Sequence, residues 1–299
     1  MTLSEQGIDL HTHSTASDGT DSPAELVACA AGLGLSVIGL TDHDTLGGLP
    51  EAMSAANSHG IELVPGIELS IEGGEDRRFH LLSYFFDTDN LELVSILERV
   101  RRWRSDRNSL IIDRAQNAGI DLTFEDVQAE AGPGATIIAR PHFARALVKK
   151  GLASSIQDAF DRFLASGMPL NEPKPSLSPR FAADLLHNAG GITVLAHPGL
   201  IKWADKPDLA KYIAELKSID ALDGIECYYY RYSEEQTQFF LDVARENGLL
   251  VSGGSDYHGG TKPDVPLGNV YQGKPLPVSI LDPLREASAR WRSTRSVGS

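Results

Sequence analysis

Cysteine is nearly absent. Two in 299 residues, Cys29 and Cys227, cannot make a disulfide framework and do not suit a thiolate metal site. Cys29 falls in a helical pattern and Cys227 in a strand pattern, so both are expected to be buried apolar side chains. Long apolar runs are also missing. None approaches the roughly 20 residues of a membrane span, and the start, MTLSEQGIDL, lacks the apolar core of a signal peptide. A cytoplasmic chain with no membrane partner is the expectation. Positive charge is scarce: 27 Lys and Arg stand against 41 Asp and Glu, a net charge of −14. That balance disfavours loose binding to long nucleic acids, which needs an extended basic surface. No repeat or low-complexity segment occurs, and nothing implies a stable protein partner.

The chain does have ordinary globular composition, 41% hydrophobic and 23% charged, and enough length to bury a large core. Strand patterns lie at Gly7–Leu10, Ser36–Leu40, Ile61–Val64, Phe79–Phe86, Ile192–Leu195, Gly224–Tyr228 and Leu249–Ser252. Helical patterns between them include Ser22–Ala31, Leu49–Ser58, Pro179–His187 and Glu234–Glu246, with Pro23 and Pro179 suited to first turns. Such alternation predicts an α/β fold with a parallel sheet, and about seven units favour a distorted barrel. From Leu91 to Ser166 the pattern is almost wholly helical, and a proline-rich connector, 169–175, follows. Residues 101–176 hold 11 Lys/Arg and 9 Asp/Glu, a slightly basic module within an acidic body. The organisation expected is 1–100 as the first part of a barrel, 101–176 as a helical insertion covering the substrate, and 177–299 as the second part. The tail from about 285 reads as frayed.

Four segments carry chemistry: Asp9-Leu10-His11-Thr12-His13, Thr41-Asp42-His43-Asp44, Ala196-His197-Pro198 and Ser255-Asp256-Tyr257-His258. Each follows a strand pattern, which gathers them at one mouth of an α/β fold. Imidazole and carboxylate are ligands for divalent cations. His11 and His13, spaced i and i+2, project from one strand face. Asp18, Glu68 at the end of the third strand, His80 at the start of the fourth, and His142 in Arg140-Pro141-His142-Phe143 complete the set. His59 and His187 lie in helical patterns and read as structural. Asp9 and Asp42, just before ligand histidines, are expected to orient imidazoles by hydrogen bonds.

These motifs are similar to those of the polymerase and histidinol phosphatase (PHP) superfamily of phosphoesterases, nearly end to end. The resemblance is greatest to the branch that removes the 3′-phosphate of nucleoside 3′,5′-bisphosphates and trims short RNA from its 5′ end, in which the helical insertion carries a segment like Arg140–Arg145. It implies a distorted (βα)7 barrel, the PHP fold, with three divalent metal ions, Mn, Fe, Zn or Mg. His11, His13, Glu68 and Asp256 would hold the first, Glu68 (bridging), His80 and His142 the second, and Asp18, His43 and His258 the third. Three such ions against three carboxylates leave about +3 in the pocket, an anion trap inside an acidic protein. The ions would generate a nucleophile from water and neutralise phosphoryl oxygens. His197 is the candidate for phosphate contact or proton donation, so His197, Asp256 and Arg140 form the catalytic set. Arg140, Lys174, Ser70 and His197 would contact substrate phosphate.

The expected substrate is a small nucleotide, a nucleoside 3′,5′-bisphosphate giving AMP, with short RNA a further substrate. Two alternatives stand beside it. One is a phosphatase for another small monoester such as histidinol phosphate; the other is a silent PHP module acting as a binding scaffold. Glu226 reads as a structural carboxylate. The run Arg99, Arg101, Arg102, Arg104 and Arg107 reads as a solvated helix face with Glu98 and Asp106 as local partners. Tyr228-Tyr229-Tyr230 reads as half core and half rim.

Overall fold

A computed structural model of the chain describes residues 7–74, 77–132, 135, 137–172, 176–201, 203 and 205–295. The strands are β1 (Gly7–Thr12), β2 (Leu35–Leu40), β3 (Glu62–Glu72), β4 (Arg78–Tyr84), β5 (Ile192–Leu195), β6 (Gly224–Tyr229), β7 (Leu250–Gly254) and β8 (Leu276–Pro277). They form one sheet in the order β7-β6-β5-β4-β3-β2-β1-β8. The helices are α1 (Pro23–Gly32), α2 (Leu49–His59), α3 (Leu91–Asn117), α4 (Phe124–Ala131), α5 (Arg140–Lys149), α6 (Ile156–Ala159), α7 (Pro179–Asn188), α8 (Lys206–Ser218), α9 (Glu234–Asn247) and α10 (Leu281–Arg295).

The expected barrel is present, nearly closed, with two departures from a purely parallel plan. β4 runs antiparallel to both β3 and β5, because β3 and β4 form a hairpin with no helix between them. A short eighth strand, β8, pairs antiparallel with β1. The tail is not frayed from 285: it is helix α10 through Arg295, and its Leu281 and Leu284 are buried against Ile8, Val37 and Ile192. Cys29 is exposed on α1 while Cys227 is buried, so only the second behaves as the expected core residue.

Strands buried on both faces read as near-continuous apolar runs, and alternate residues divide between two cores. Leu82, Tyr84, Ile192 and Val194 enter one, while Leu81 and Leu195 enter the other with Leu26, Ile213 and Phe240 of the surrounding helices. A third core draws only on residues from Ile111 to Leu170, including Leu122, Phe143, Leu147 and Leu164. Helix α3 belongs to two of these. Its Leu93, Leu97 and Val100 pack on the barrel, and its Ile111, Ile112 and Ala115 pack in the third core. Between them the buried face of the helix is Arg104, Arg107 and Asn108.

Closure depends on a close backbone approach. The Asp256 N–H donates to the His11 carbonyl at 2.8 Å and the His13 N–H to the Tyr257 carbonyl at 2.9 Å. At Gly254 an added Cβ would stand 2.5 Å from the His11 nitrogen, so a larger residue pushes β1 and β7 apart. Overpacking of this kind costs about 1–3 kcal/mol. Gly254→Ala should therefore lower the thermal midpoint by several degrees in calorimetry. Gly32→Ala, where nothing lies within 4 Å, should leave it level or raise it.

Candidate metal centre and adjoining basic cavity

The strand ends deliver most of the expected residues to one mouth of the barrel. His11 lies in β1, with His13 just past it, and the two Nε2 atoms are 3.1 Å apart. Two ligands of one ion at about 2.1 Å from it stand about 3.0–3.4 Å apart, so this spacing fits a shared cation. Glu68 is mid-strand in β3 rather than at its end. His80 comes from the start of β4 and pairs in register with Ser70. An antiparallel strand begins where its parallel neighbours finish, which is why a strand-start histidine meets strand-end ones.

Three groups have donor atoms within 4.8 Å of one another: His11, His13, Glu68 and Asp256; His13, Asp18, His43 and His258; and His43, Glu68 and His80. Glu68 is the hub. Its Oε1 lies 2.8 Å from His80 Nδ1 and 3.0 Å from His197 Nε2. Its Oε2 lies 3.0 Å from His43 Nδ1, 3.1 Å from His13 Nε2 and 3.3 Å from His11 Nε2, yet among the described residues makes no hydrogen bond. Short contacts without hydrogen-bond alignment, from an all nitrogen and oxygen donor set, are what a cation cage looks like. The residues present fit divalent ions.

Electrostatics agree. Burial pushes the Glu68 carboxyl up, but His43, His80 and His11 outweigh it and hold it well below the usual range. Asp18 and Asp256 behave alike, the first through His43 and His258, the second through Lys262, His258 and His11. Three ionised carboxylates are thus fully enclosed, which is sustainable only beside positive charge.

Partner groups fix the cage. Glu226 Oε1 accepts from His11 Nδ1 at 3.0 Å, which leaves the Nε2 lone pair free for a cation. Its Oε2 accepts the His197 N–H at 2.6 Å. Asp9 and Asp42 do not orient imidazoles, contrary to expectation. Asp9 accepts the N–H groups of Ser255 and Gly268, both at 2.9 Å, and Asp42 accepts the Ser14 N–H at 2.8 Å and the hydroxyls of Ser14 and Ser17. They hold the loops that carry the histidines. Asp256 divides its oxygens: Oδ1 faces the imidazoles, while Oδ2 accepts from Tyr229 at 3.0 Å and Lys262 at 2.5 Å. Asp44, His197 and Asp256 have positive φ, +53°, +28° and +56°, a strained conformation that tends to gather at functional sites.

His142 stands apart from all three groups. Its Nδ1 accepts the Ala139 N–H at 2.9 Å, so the proton of the neutral ring resides on Nε2. A protonated Nε2 has no lone pair for a metal, which argues against the ligand role expected for it. Burial, with Arg145 adding, pushes its pKa down to about 4, and among the described residues the buried Nε2 has no partner.

Beside the cage opens a cavity of about 190 Å³ lined by Asp18, His43, Ser70 and His80 together with Arg104, Arg107 and Arg140. Arg104 Nε donates to Asp44 Oδ2 at 3.0 Å, its Nη2 contacts the same oxygen, and the Ser70 hydroxyl donates to Asp44 Oδ2 at 3.1 Å. Among the described residues neither Arg107 nor Arg140 has a carboxylate partner. Burial, with Arg104 and Arg140 adding, brings Arg107 down to about 9, and its guanidinium donates to Asn108 Oδ1. Lys174, expected to touch phosphate, lies outside the described residues.

The reading of the arginine run as a solvated face is overturned at Arg104 and Arg107, which are buried. Their signal was in the sequence. Residues 93, 97, 100, 104, 107, 111 and 115 step by three and four, so both arginines fall on the apolar stripe of α3. Glu226 likewise alternates with core residues Ile225 and Cys227. Tyr229 and Lys262 carried no signal.

Known proteins share this architecture. The PHP domain family matches residues 9–165. The 5′-3′ exoribonuclease of Haemophilus influenzae is 36% identical over 250 residues, covering 84% of this chain and 89% of that one. The 3′,5′-nucleoside bisphosphate phosphatase of Chromobacterium violaceum is 32% identical over 255 residues, covering 84% and 87%. A crystal structure from Bifidobacterium adolescentis, of a protein put forward as a metal-dependent phosphoesterase, superposes with a TM-score of 0.83 at 31% identity, covering 95% and 96%. Among the described residues no helix is long and apolar enough to cross a membrane. The chain belongs to the PHP domain family and is a metal-dependent hydrolase of phosphoester bonds.

Proposed function

We propose that the chain removes the 3′-phosphate of nucleoside 3′,5′-bisphosphates, giving a nucleoside 5′-monophosphate such as AMP and phosphate, with three divalent ions and in the cytoplasm. The observation that carries this reading is one cavity lined both by cage residues Asp18, His43 and His80 and by three arginines. A substrate with two phosphates one ribose apart suits both sets; a simple monoester such as histidinol phosphate uses only one. The same geometry favours short 5′-phosphorylated RNA as a further substrate, since its first linkage lies one ribose from its terminal phosphate.

His11, His13, Glu68 and Asp256 would hold the first ion and Asp18, His43 and His258 the third. For the second, Glu68 and His80 are joined by His197 in place of His142, because His197 Nε2 approaches the Glu68 oxygen that His80 approaches. The ions, when bound, supply Lewis acidity at phosphoryl oxygens and a nucleophile from water. The protein's own groups do the rest. Arg107 and Arg140 grip the 5′-phosphate, and Arg104 is held towards it by Asp44. Lys262 and Tyr229 keep Asp256 ionised and aligned.

Two outcomes test this. Elemental analysis of the wild type should find roughly three divalent ions per chain, and Glu68→Gln should lose at least two of them together with activity; an unchanged metal content would sink the hub role of Glu68. With adenosine 3′,5′-bisphosphate as substrate, Arg140→Ala should cost about 2–3 kcal/mol, roughly 30- to 150-fold in kcat/KM. The same variant should hydrolyse p-nitrophenyl phosphate within a few-fold of wild type. Equal losses on both substrates would refute recognition of a second phosphate.

A further inference from the structure

A second cavity adjoins the first across Arg104. Its volume is about 340 Å³, and Arg101, Arg102, Arg104, Asn108 and Phe124 line it, with no member of the cation cage among its walls. Arg101 and Arg102 are exposed and, among the described residues, pair with neither Glu98 nor Asp106 nor any other carboxylate. Arg101 and Arg102 thus stand about 4.5 and about 3.0 Å before Arg104 along the helix axis, on an otherwise acidic protein. Phe124 adds an apolar ring beside them.

The two cavities share Arg104. A 5′-phosphate held by Arg107 and Arg140 would therefore present its next substituent towards Arg104 and the two exposed arginines. We infer that the second cavity binds a further phosphoryl group on the 5′-phosphate, so that the enzyme accepts nucleoside 3′-phosphates bearing a 5′-diphosphate. This rests on the bisphosphatase reading above and extends its substrate class. The reaction is unchanged: water adds to the 3′-phosphorus, the bond from phosphorus to O3′ breaks, O3′ takes a proton, and a nucleoside 5′-diphosphate leaves with orthophosphate.

The test compares adenosine 3′,5′-bisphosphate with 3′-phosphoadenosine 5′-diphosphate on the metal-loaded wild type and on an Arg101→Ala/Arg102→Ala double variant. Both positions are exposed, so the variant keeps the fold. Wild type should show a KM about tenfold lower for the diphosphate at similar kcat, as one added charge-assisted contact supplies. The double variant should lose that advantage and keep its kinetics on the bisphosphate. A diphosphate that is cleaved no better than the bisphosphate, or a variant equally impaired on both, overturns the second-cavity proposal while leaving the bisphosphatase reading intact. Failure of wild type to cleave either compound overturns both.

Discussion

One carboxylate gathers five imidazoles. Glu68, fully buried in the middle of β3, has His80 and His197 at one oxygen and His11, His13 and His43 at the other, all within 3.3 Å. Oε1 hydrogen-bonds His197, but among the described residues Oε2, with three imidazoles around it, makes no hydrogen bond. Cations satisfy it readily. The barrel therefore folds around a charge arrangement that is incomplete by itself, and the loops carrying it are tied down by groups that never face the cage. Asp9 and Asp42 take backbone N–H groups and serine hydroxyls, and Glu226 braces both His11 and the loop of His197.

The price of that arrangement appears in the backbone. Asp44, His197 and Asp256 are driven into positive φ, each costing on the order of 1–3 kcal/mol. Each is held by strong partners: Asp44 by Arg104 and the Ser70 N–H, His197 by Glu226, Asp256 by Tyr229 and Lys262. Strain and clamp occur at the same residues, which keeps the donors at fixed separations.

Much of this was legible before any coordinates. Strands, most helices and the ligand-rich segments follow from apolar periodicity and from the motifs at strand ends, because local pattern sets both. The reversed β4 was less legible, since period-two alternation is the same in either direction and only the short turn after β3 hints at a hairpin. Helix α10 was misread because its arginines and small polar residues conceal a stripe through Leu281, Leu284 and Ala287 that the barrel buries. His142 was harder to read. Spacing cannot reveal that its Nδ1 faces the Ala139 N–H, or that its ring stands outside the three donor groups.

Helix α3 joins the two halves of the chemistry. It packs on the barrel through Leu97 and Val100 and on the helical core through Ile111 and Ala115, so neither contact can shift without moving Arg104 and Arg107 relative to Glu68. The cage side of the cavity is crowded with carboxylates and the helix side with guanidiniums, and each side alone is electrostatically unfavourable. A phosphate approaching the cage without cations meets Asp18, Glu68 and Asp256 and is repelled. Divalent charge would offset those carboxylates, and the same helix packing holds the guanidiniums of Arg104 and Arg107 at a set distance from them.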